Sequence, residues 1–291
     1  MNWPKISIIT PCFNQVNYIE QTIRSVLDQN YPNLEYIIID GESTDGTTDV
    51  IKSYENQLTY WISEPDNGMY DALQKGFERA TGNILGWINS DDLLHNGSLN
   101  TIAEIFDSYS EVDWLQGMPS FFDEKGRIVQ TGPFKKWSAY HFYLGDFKWI
   151  QQESTFWRRS LWERAGGNID KRFKYAGDFE LWLRFFRHAK LYSCTALIGG
   201  FRLRSSGQLS QTHINEYLKE AHSILEYEIS ILPPGKKKKL SILKKLMRVY
   251  GILKKLRILN ASGFYSKAFG KLIEFTPTIS FDRSTQSYLL K

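Results

Sequence analysis

Asn89, Asp91 and Asp92 stand where the apolar run "NILGWI" (83–88) ends, in the stretch GWINSDDLL. Two adjacent carboxylates repel each other unless a cation sits between them, and hard carboxylate oxygens suit Mg²⁺ or Mn²⁺. An Asp-rich turn leading into the next helix explains the same residues, and turns are commoner than metal sites. Three more polar clusters close apolar runs in this way. They are Pro11, Phe13 and Asn14 at the end of "KISIITP" (5–11), Asp40 with Ser43 and Asp45 after "LEYIIID" (34–40), and Asp66, Asn67 and Gly68 after "LTYWIS" (58–63). Any one of them reads as turn chemistry. Four in succession point to a site, because the strand ends of a parallel sheet share one edge, where α/β folds bind ligands.

The chemistry is not that of a glycine-cradled phosphate. Neither G-x-G-x-x-G nor G-x-x-x-x-G-K-[ST] occurs, and the first loop, "TPCFNQ", offers an aromatic ring and an amide instead. A pyrophosphate here would need a bridging cation, which Asp91 and Asp92 are expected to hold. His and Cys are too scattered for a zinc site.

The elements that must position these groups alternate. After the first run, "YIEQTIRSVLDQ" puts Ile19, Ile23, Val26 and Leu27 on one helical face. "GESTDGTTDVIKSY" turns into a second helix, and "NGMYDALQKGFERA" opens a third with Asn67 as its expected cap. Such alternation predicts an α/β fold, a mostly parallel sheet with helices on both faces. Beyond Asp92 the pattern loosens. A hairpin is predicted to turn at Glu124–Gly126, "WIQQESTFWRRSLWERAGG" runs from strand to helix, "DFELWLRFFRHA" is an amphipathic helix, and "LYSCTALIGGFRLRS" reads as one strand. The helix "INEYLKEAHSILEYEIS" ends at Pro233–Pro234–Gly235, where a domain boundary is expected, dividing 1–232 from 233–291.

A chain of 291 residues, 42% hydrophobic and 15% aromatic, has the apolar content for a well-packed core, which excludes a disordered protein. No apolar run approaches the roughly 20 residues that cross a bilayer, and "MNWPKISIITPCFN" lacks the features of a signal peptide. Cys12 and Cys194 make no disulfide framework. A cytoplasmic location is expected.

The net charge of +4 hides an asymmetry: residues 236–291 carry 14 Lys/Arg against two acids, leaving a balance of −8 on the rest. In "KKKKLSILKKLMRVYGILKKLRI" the basic residues Lys236–Lys239, Lys244, Lys245, Arg248, Lys254, Lys255 and Arg257 adjoin a wide apolar face. Leu243, Leu246, Met247, Val249, Tyr250, Leu253 and Leu256 form that face. A basic amphipathic helix of this kind is expected on an anionic membrane surface, peripherally on the inner face. Packing of the same face on the body is the plainer alternative. Nucleic acid is not expected, since no stacking aromatics interleave the lysines.

Three stretches together resemble a known family. "SIITPCFNQVNYIEQTIRSVLDQNYPNLEYIIIDGESTDGTTDVI", "SEPDNGMYDALQKGFERATGNILGWINSDD" and "FKYAGDFELWLRFF" are similar to the family 2 glycosyltransferases of GT-A fold. The resemblance runs from about Lys5 to about Arg204 and does not reach the tail beyond Pro233. It implies a nucleoside-diphosphate sugar as donor, most simply UDP-linked. Pro11, Phe13 and Asn14 would then line the base pocket, with Phe13 stacking on the ring. Asp40 would accept a hydrogen bond from the base, with Asp66, Asn67 and Gly68 bordering the pocket. "NSDD" falls where the family has D-x-D, contacting ribose and the diphosphate's metal, with Asn89 in place of the usual first Asp. Asp178, in "YAGDFELW", matches the catalytic base of inverting members. Gln151 and Gln152 fall near the acceptor side.

The residues read alone allow these roles. Asp178 opens a predicted helix, where a carboxylate is equally an ordinary cap, and Glu180 is the alternative base. Arg202 and Arg204, Arg204 above all, are candidates for the diphosphate, with a solvated basic strand the equal alternative. The expected function is an inverting transfer to a hydroxyl of a lipid-linked or cell-surface glycan, using a divalent metal, Mn or Mg. The alternatives are a non-catalytic nucleotide-sugar binder and a sugar-phosphate nucleotidyltransferase. The latter would need a Gly/Arg-rich first loop. Without a Q-x-x-R-W motif after Asp178, a processive polysaccharide synthase is not expected.

Overall fold

The computed structural model describes residues 3–147, 149–205, 208, 212–255, 269–270, 272–273 and 275–291. Leu256 and Arg257 of the basic tail lie outside them. The first half alternates as its apolar runs predict: β1 (Ile6–Cys12), α1 (Ile19–Leu27), β2 (Leu34–Asp40), α2 (Thr47–Ser53), β3 (Tyr60–Ser63), α3 (Met69–Arg79) and β4 (Ile84–Trp87). β3, β2, β1 and β4 pair in that order, all parallel. Side chains alternate across the sheet. Ile6, Ile8, Tyr36 and Ile38 enter one core with α1 and α2, while Ile9, Ile37 and Ile39 enter the other with α3. Burial on both faces is why these strands read as unbroken apolar runs.

After β4 come β5 (Leu93–Leu94), α4 (Ser98–Ser108), β6 (Trp114–Gln116), β7 (Ser120–Phe122), β8 (Ile128–Thr131) and α5 (Ala139–Tyr143). A 3₁₀ turn at Gln152–Ser154 leads into β9 (Thr155–Arg158), α6 (Arg159–Arg164) and α7 (Gly177–His188). β9 enters the sheet antiparallel between β4 and β6. Trp87, Trp114, Trp157 and Trp182 pack together there, Trp87 stacking on Trp182 of α7 at 5.5 Å. That contact anchors the helix that carries Asp178.

The stretch expected as one strand at 191–205 is two. β10 (Tyr192–Cys194) joins the main sheet beside β6, whereas β11 (Gly199–Arg202) joins β5, β7 and β8 in a small second sheet. Gly199 makes the second placement possible. A Cβ there would lie 1.9 Å from the Glu153 carbonyl oxygen, so only glycine lets β11 cross the 3₁₀ turn so closely.

The C-terminal helices are present as α8 (Ile214–Ile231) and α9 (Pro234–Lys255). The expected division at 233 does not separate two cores. Leu240 and Leu243 of α9 are buried in the same cluster as Trp182 and Phe185. Strands β12 (Thr278–Asp282) and β13 (Ser287–Leu290), unforeseen in the sequence, extend the main sheet past β10. Ile242, Val249 and Ile252 of α9 stay exposed among its lysines.

Candidate active site

Because β1 to β4 run parallel, their C-terminal ends and the loops after them meet on one edge. The β1–α1 loop is stitched to the β2–α2 loop. The Asn14 N–H donates to Ser43 Oγ at 2.7 Å, Thr44 N–H to Asn14 Oδ1 at 3.0 Å and Val16 N–H to Asp45 Oδ2 at 3.1 Å. Asn14 takes a left-handed φ of 51°, which asparagine tolerates through local hydrogen bonding. This turns Phe13 outward, 59% exposed above buried Pro11, as a free aromatic face.

Asp40 closes β2. It has no exposed surface, and its carboxylate accepts from Ser43 N–H (2.9 Å), Ser43 Oγ (2.5 Å) and Ser63 Oγ (2.6 Å). Oδ2 ties β2 to Ser63 of β3 while Oδ1 holds Ser43 of the following loop, so Asp40 braces the floor of this edge. Asp66 lies against Gly41 and accepts the Gly68 N–H at 2.7 Å. Gly68, at φ 103°, is the residue that opens α3, one position beyond the expected cap Asn67. Asn67 instead donates its N–H to Asp71, which is paired with Lys171 at 2.6 Å.

The adjacent carboxylates of "NSDD" have opposite surroundings. Asp92 is fully buried: Oδ1 accepts the Arg202 N–H at 2.9 Å, and Oδ2 accepts the amides of Asn89 (3.2 Å) and Gln152 (3.4 Å). Burial, then the charges of Asp91 and Glu153, push its pKa well above the ordinary carboxylate range. Asp92 thus serves this loop as a buried acceptor, tied to β11 through the Arg202 main chain. Asp91 remains partly accessible and pairs with Arg204 at 3.0 Å. Arg202 is buried and satisfied, donating to Asp91 O, Asp123 O, Glu124 O and Gln21 Oε1, so it clamps the loop and does not reach a ligand. Arg204 sits over the Tyr18 ring with its Nε unpaired among the described residues.

Asp178 lies in the first turn of α7. Tyr70 Oη donates to its Oδ1 at 3.2 Å and accepts its N–H at 3.3 Å, and Gly177 leaves room for that ring. Glu220 of α8 accepts the N–H groups of Lys174, Tyr175 and Ala176, fixing the approach to the helix. Burial raises the Asp178 pKa to about 6, against the lowering effect of its hydrogen bonds. Glu180, two residues on, pairs with Arg184 at 2.7 Å.

Sequence reading passed over Glu153. It is 2% exposed, with Oε1 unpaired among the described residues, and burial first of all raises its pKa to about 8. The charges of Asp91 and Asp178 add to that rise. A lone acid inside the apolar, aromatic run "WIQQESTFW" was the available signal. Gln151, beside it, is locked to the Ser120 main chain at 3.1 and 3.2 Å.

Among the described residues no three His, Cys, Asp or Glu side chains are grouped to hold a metal by themselves. A Mg²⁺ or Mn²⁺ that takes most of its ligands from a diphosphate needs only one or two carboxylates. Asp91, with the unpaired Asn89 Oδ1 nearby, fits that requirement.

The family model "Glycosyl transferase family 2" matches residues 7–176. Among curated proteins, the chain is 25% identical to an uncharacterized glycosyltransferase of Rickettsia prowazekii, covering 73% of this chain and 68% of that one. It is 43% identical to a putative teichuronic acid biosynthesis glycosyltransferase, TuaG, of Bacillus subtilis, over 31% of this chain and 38% of TuaG. Among solved structures, S. aureus TarS 1–349 in complex with UDP-GlcNAc superposes with a TM-score of 0.66 at 19% identity, over 81% of this chain and 70% of that one. The mannosyltransferase PcManGT of Pyrobaculum calidifontis, in complex with GDP-Man and Mn2+, superposes with a TM-score of 0.56 at 16% identity, over 92% and 80%. The match thus spans well under half of TuaG, and only 43% of the longer TarS chain.

Proposed function

The chain belongs to glycosyl transferase family 2, and from that premise we propose that it transfers a sugar, with inversion, from a UDP-sugar to an acceptor hydroxyl. The observation that carries this reading is the raised, buried carboxyl of Asp178, together with the Asp91–Arg204 pair at the sheet edge. Asp91 is partly accessible beside Arg204, and Asp178 is raised to about 6 beside Tyr70. A divalent ion on Asp91 would neutralise charge on the leaving diphosphate. Phe13 supplies a face for the base, and Asn89 and Arg204 lie where ribose and diphosphate would follow. Asp178 removes the acceptor's proton as its oxygen bonds to the anomeric carbon and the bond to the diphosphate breaks. A base with a pKa near the working pH is suited to that task. The UDP-GlcNAc complex of TarS favours a uridine donor.

The acceptor in this reading is a glycan carried on a lipid. Support comes from α9, whose Ile242, Val249 and Ile252 are exposed beside Lys245 and Arg248, a combination suited to an anionic bilayer surface. Among the described residues no helix is long and apolar enough to cross a membrane.

The test is UDP release from a panel of UDP-sugars with Mn²⁺, with and without a lipid-linked glycan acceptor. Release that rises with acceptor and vanishes in Asp178→Asn supports the reading. UDP-sugar binding with no turnover under any condition would replace it with a non-catalytic binder.

A further inference from the structure

We propose that the exposed indole of Trp149 is the surface on which the acceptor's terminal sugar ring stacks, so that the acceptor is a pyranose and not a ringless alcohol. The proposal rests on the sugar-transfer reading above and adds to it the form of the acceptor.

Trp87, Trp114, Trp157 and Trp182 are fully buried, whereas Trp149 is 54% exposed. A single exposed apolar side chain is ordinary on a protein surface. What distinguishes Trp149 is how it is held and where. Ile150 beside it is buried in the core, and two residues earlier the Phe147 ring lies 4.6 Å from His222 and 6.1 Å from Phe179. Trp149 itself packs against Tyr217 of α8, with ring centroids 6.3 Å apart at 58°. The indole thus has a fixed backing and an open remainder, which lowers the ordering cost for a ligand that meets it.

The same contacts place the indole beside the base. His213 stacks on Tyr175 at 4.8 Å, and Glu220 accepts the N–H groups of Lys174, Tyr175 and Ala176. Tyr217 lies between His213 and Glu220 at helical spacing, on the same face, and shares a buried cluster with Tyr70 and Ala176. The ring that backs Trp149 therefore adjoins the segment leading into Asp178, and Phe147 meets the ring of the next residue, Phe179. In the other direction Gln152, three residues beyond Trp149, reaches Asp92 at 3.4 Å. Residues 147–152 consequently run from the base toward the carboxylates of the sheet edge. An acceptor hydroxyl must come within hydrogen-bond reach of Asp178 to give up its proton, so the rest of the acceptor lies over this neighbourhood. The negative face of an indole attracts the C–H groups on one side of a pyranose, while the sugar's hydroxyls stay free at its rim. Phe13, the other exposed ring of the site, sits on the β1–α1 loop that Asn14 ties to Ser43 and Thr44, so nucleobase and acceptor have separate platforms.

The test is transfer kinetics of the full chain with Mn²⁺ and the UDP-sugar that gives most UDP release. Soluble octyl glycosides of glucose, galactose, mannose and N-acetylglucosamine serve as ring acceptors, with glycerol phosphate and 1-octanol as ringless ones. Wild type should use at least one octyl glycoside and neither ringless alcohol. Trp149→Leu keeps an apolar cover on Tyr217 but removes the aromatic face. It should raise the acceptor KM about tenfold with kcat little changed, and leave UDP affinity, acceptor-free UDP release and melting temperature as in wild type. Trp149→Phe should restore most of the lost acceptor affinity. Leucine and phenylalanine variants that behave alike, or a lowered melting temperature with weaker UDP binding, make the indole a structural cover and overturn the proposal. An unchanged acceptor KM with weaker co-sedimentation on anionic vesicles assigns it to a lipid surface and overturns it too. UDP release that a ringless alcohol raises, or that no octyl glycoside raises, overturns this inference alone. No UDP release under any condition overturns the sugar-transfer reading beneath it.

Discussion

Arg204 donates from Nη1 to Asp91 Oδ2 across 3.0 Å, with both side chains largely shielded from water. The neighbouring Asp92 faces the opposite way, into the protein. The two aspartates should therefore fail differently. Asp91→Asn should fold normally and lose the part of UDP affinity that depends on Mn²⁺. Asp92→Ala leaves the Arg202 N–H and two amides unpaired in the interior, a loss of about 1–3 kcal/mol in stability. Calorimetry and thermal unfolding of the two variants check this, and Mn²⁺-dependent binding that survives in Asp91→Asn would remove the metal from that residue.

The pH profile follows from Asp178. Its pKa near 6 reflects burial first, and a base must be ionised to work, so kcat/KM should fall as pH drops through about 6. Tyr70→Phe removes a donor that favours the carboxylate, and the acid limb should move to higher pH. Stability runs the other way. The folded form holds this proton more firmly than the unfolded chain, so stability is lost as pH rises through the window from about 4 to 6. Asp178→Asn should consequently melt no lower than wild type at pH 7 while losing about 10²–10⁴ in rate. An acid limb near 4 would place the base elsewhere.

Gly177→Ala tests the packing that aims the base. The added Cβ would come 2.8 Å from the Tyr70 ring, inside contact distance, so the ring or the start of α7 must shift. Misplacement by an ångström can cost about 10²-fold in rate. We expect kcat to fall sharply with UDP affinity unchanged, measured by UDP release and by calorimetry.

The tail should prove indispensable to the fold. A chain ending at Pro234 loses Leu240 and Leu243 from the core and two strands from the sheet, and should aggregate or melt far below the full protein. Membrane attachment is tested without truncation. Ile242→Ser, Val249→Ser and Ile252→Ser combined sit on the exposed face and should abolish co-sedimentation with anionic vesicles. Lys244→Glu with Lys245→Glu should weaken it, as should raised salt, because the attraction fades within a Debye length. Equal sedimentation of all variants would sink the membrane reading.

How much of this could be read without coordinates depends on the range of the interaction. Runs such as "LEYIIID" and the 3.6-residue spacing of Ile19, Ile23 and Val26 already state which faces are buried, since that periodicity is local. The alternation that follows from them places Pro11, Asp40, Asp66 and Asn89 at one sheet edge before any contact is known. What the tertiary structure decided is which polar groups at that edge remain free. Asp91 and Asp92 are neighbours in the chain, yet Arg202, over a hundred residues away, takes Asp92 inward while Arg204 meets Asp91 at the surface. Asp40 was tied to Ser63 of the neighbouring strand, and Glu153 was buried in a turn under β11. The strand at 278–282 found a partner in β10, and the strand at 287–290 pairs with it in turn, contacts that no local pattern names. Periodicity reports burial of a face, but desolvation and hydrogen-bond supply at one atom come from residues distant in sequence, and those set the chemistry.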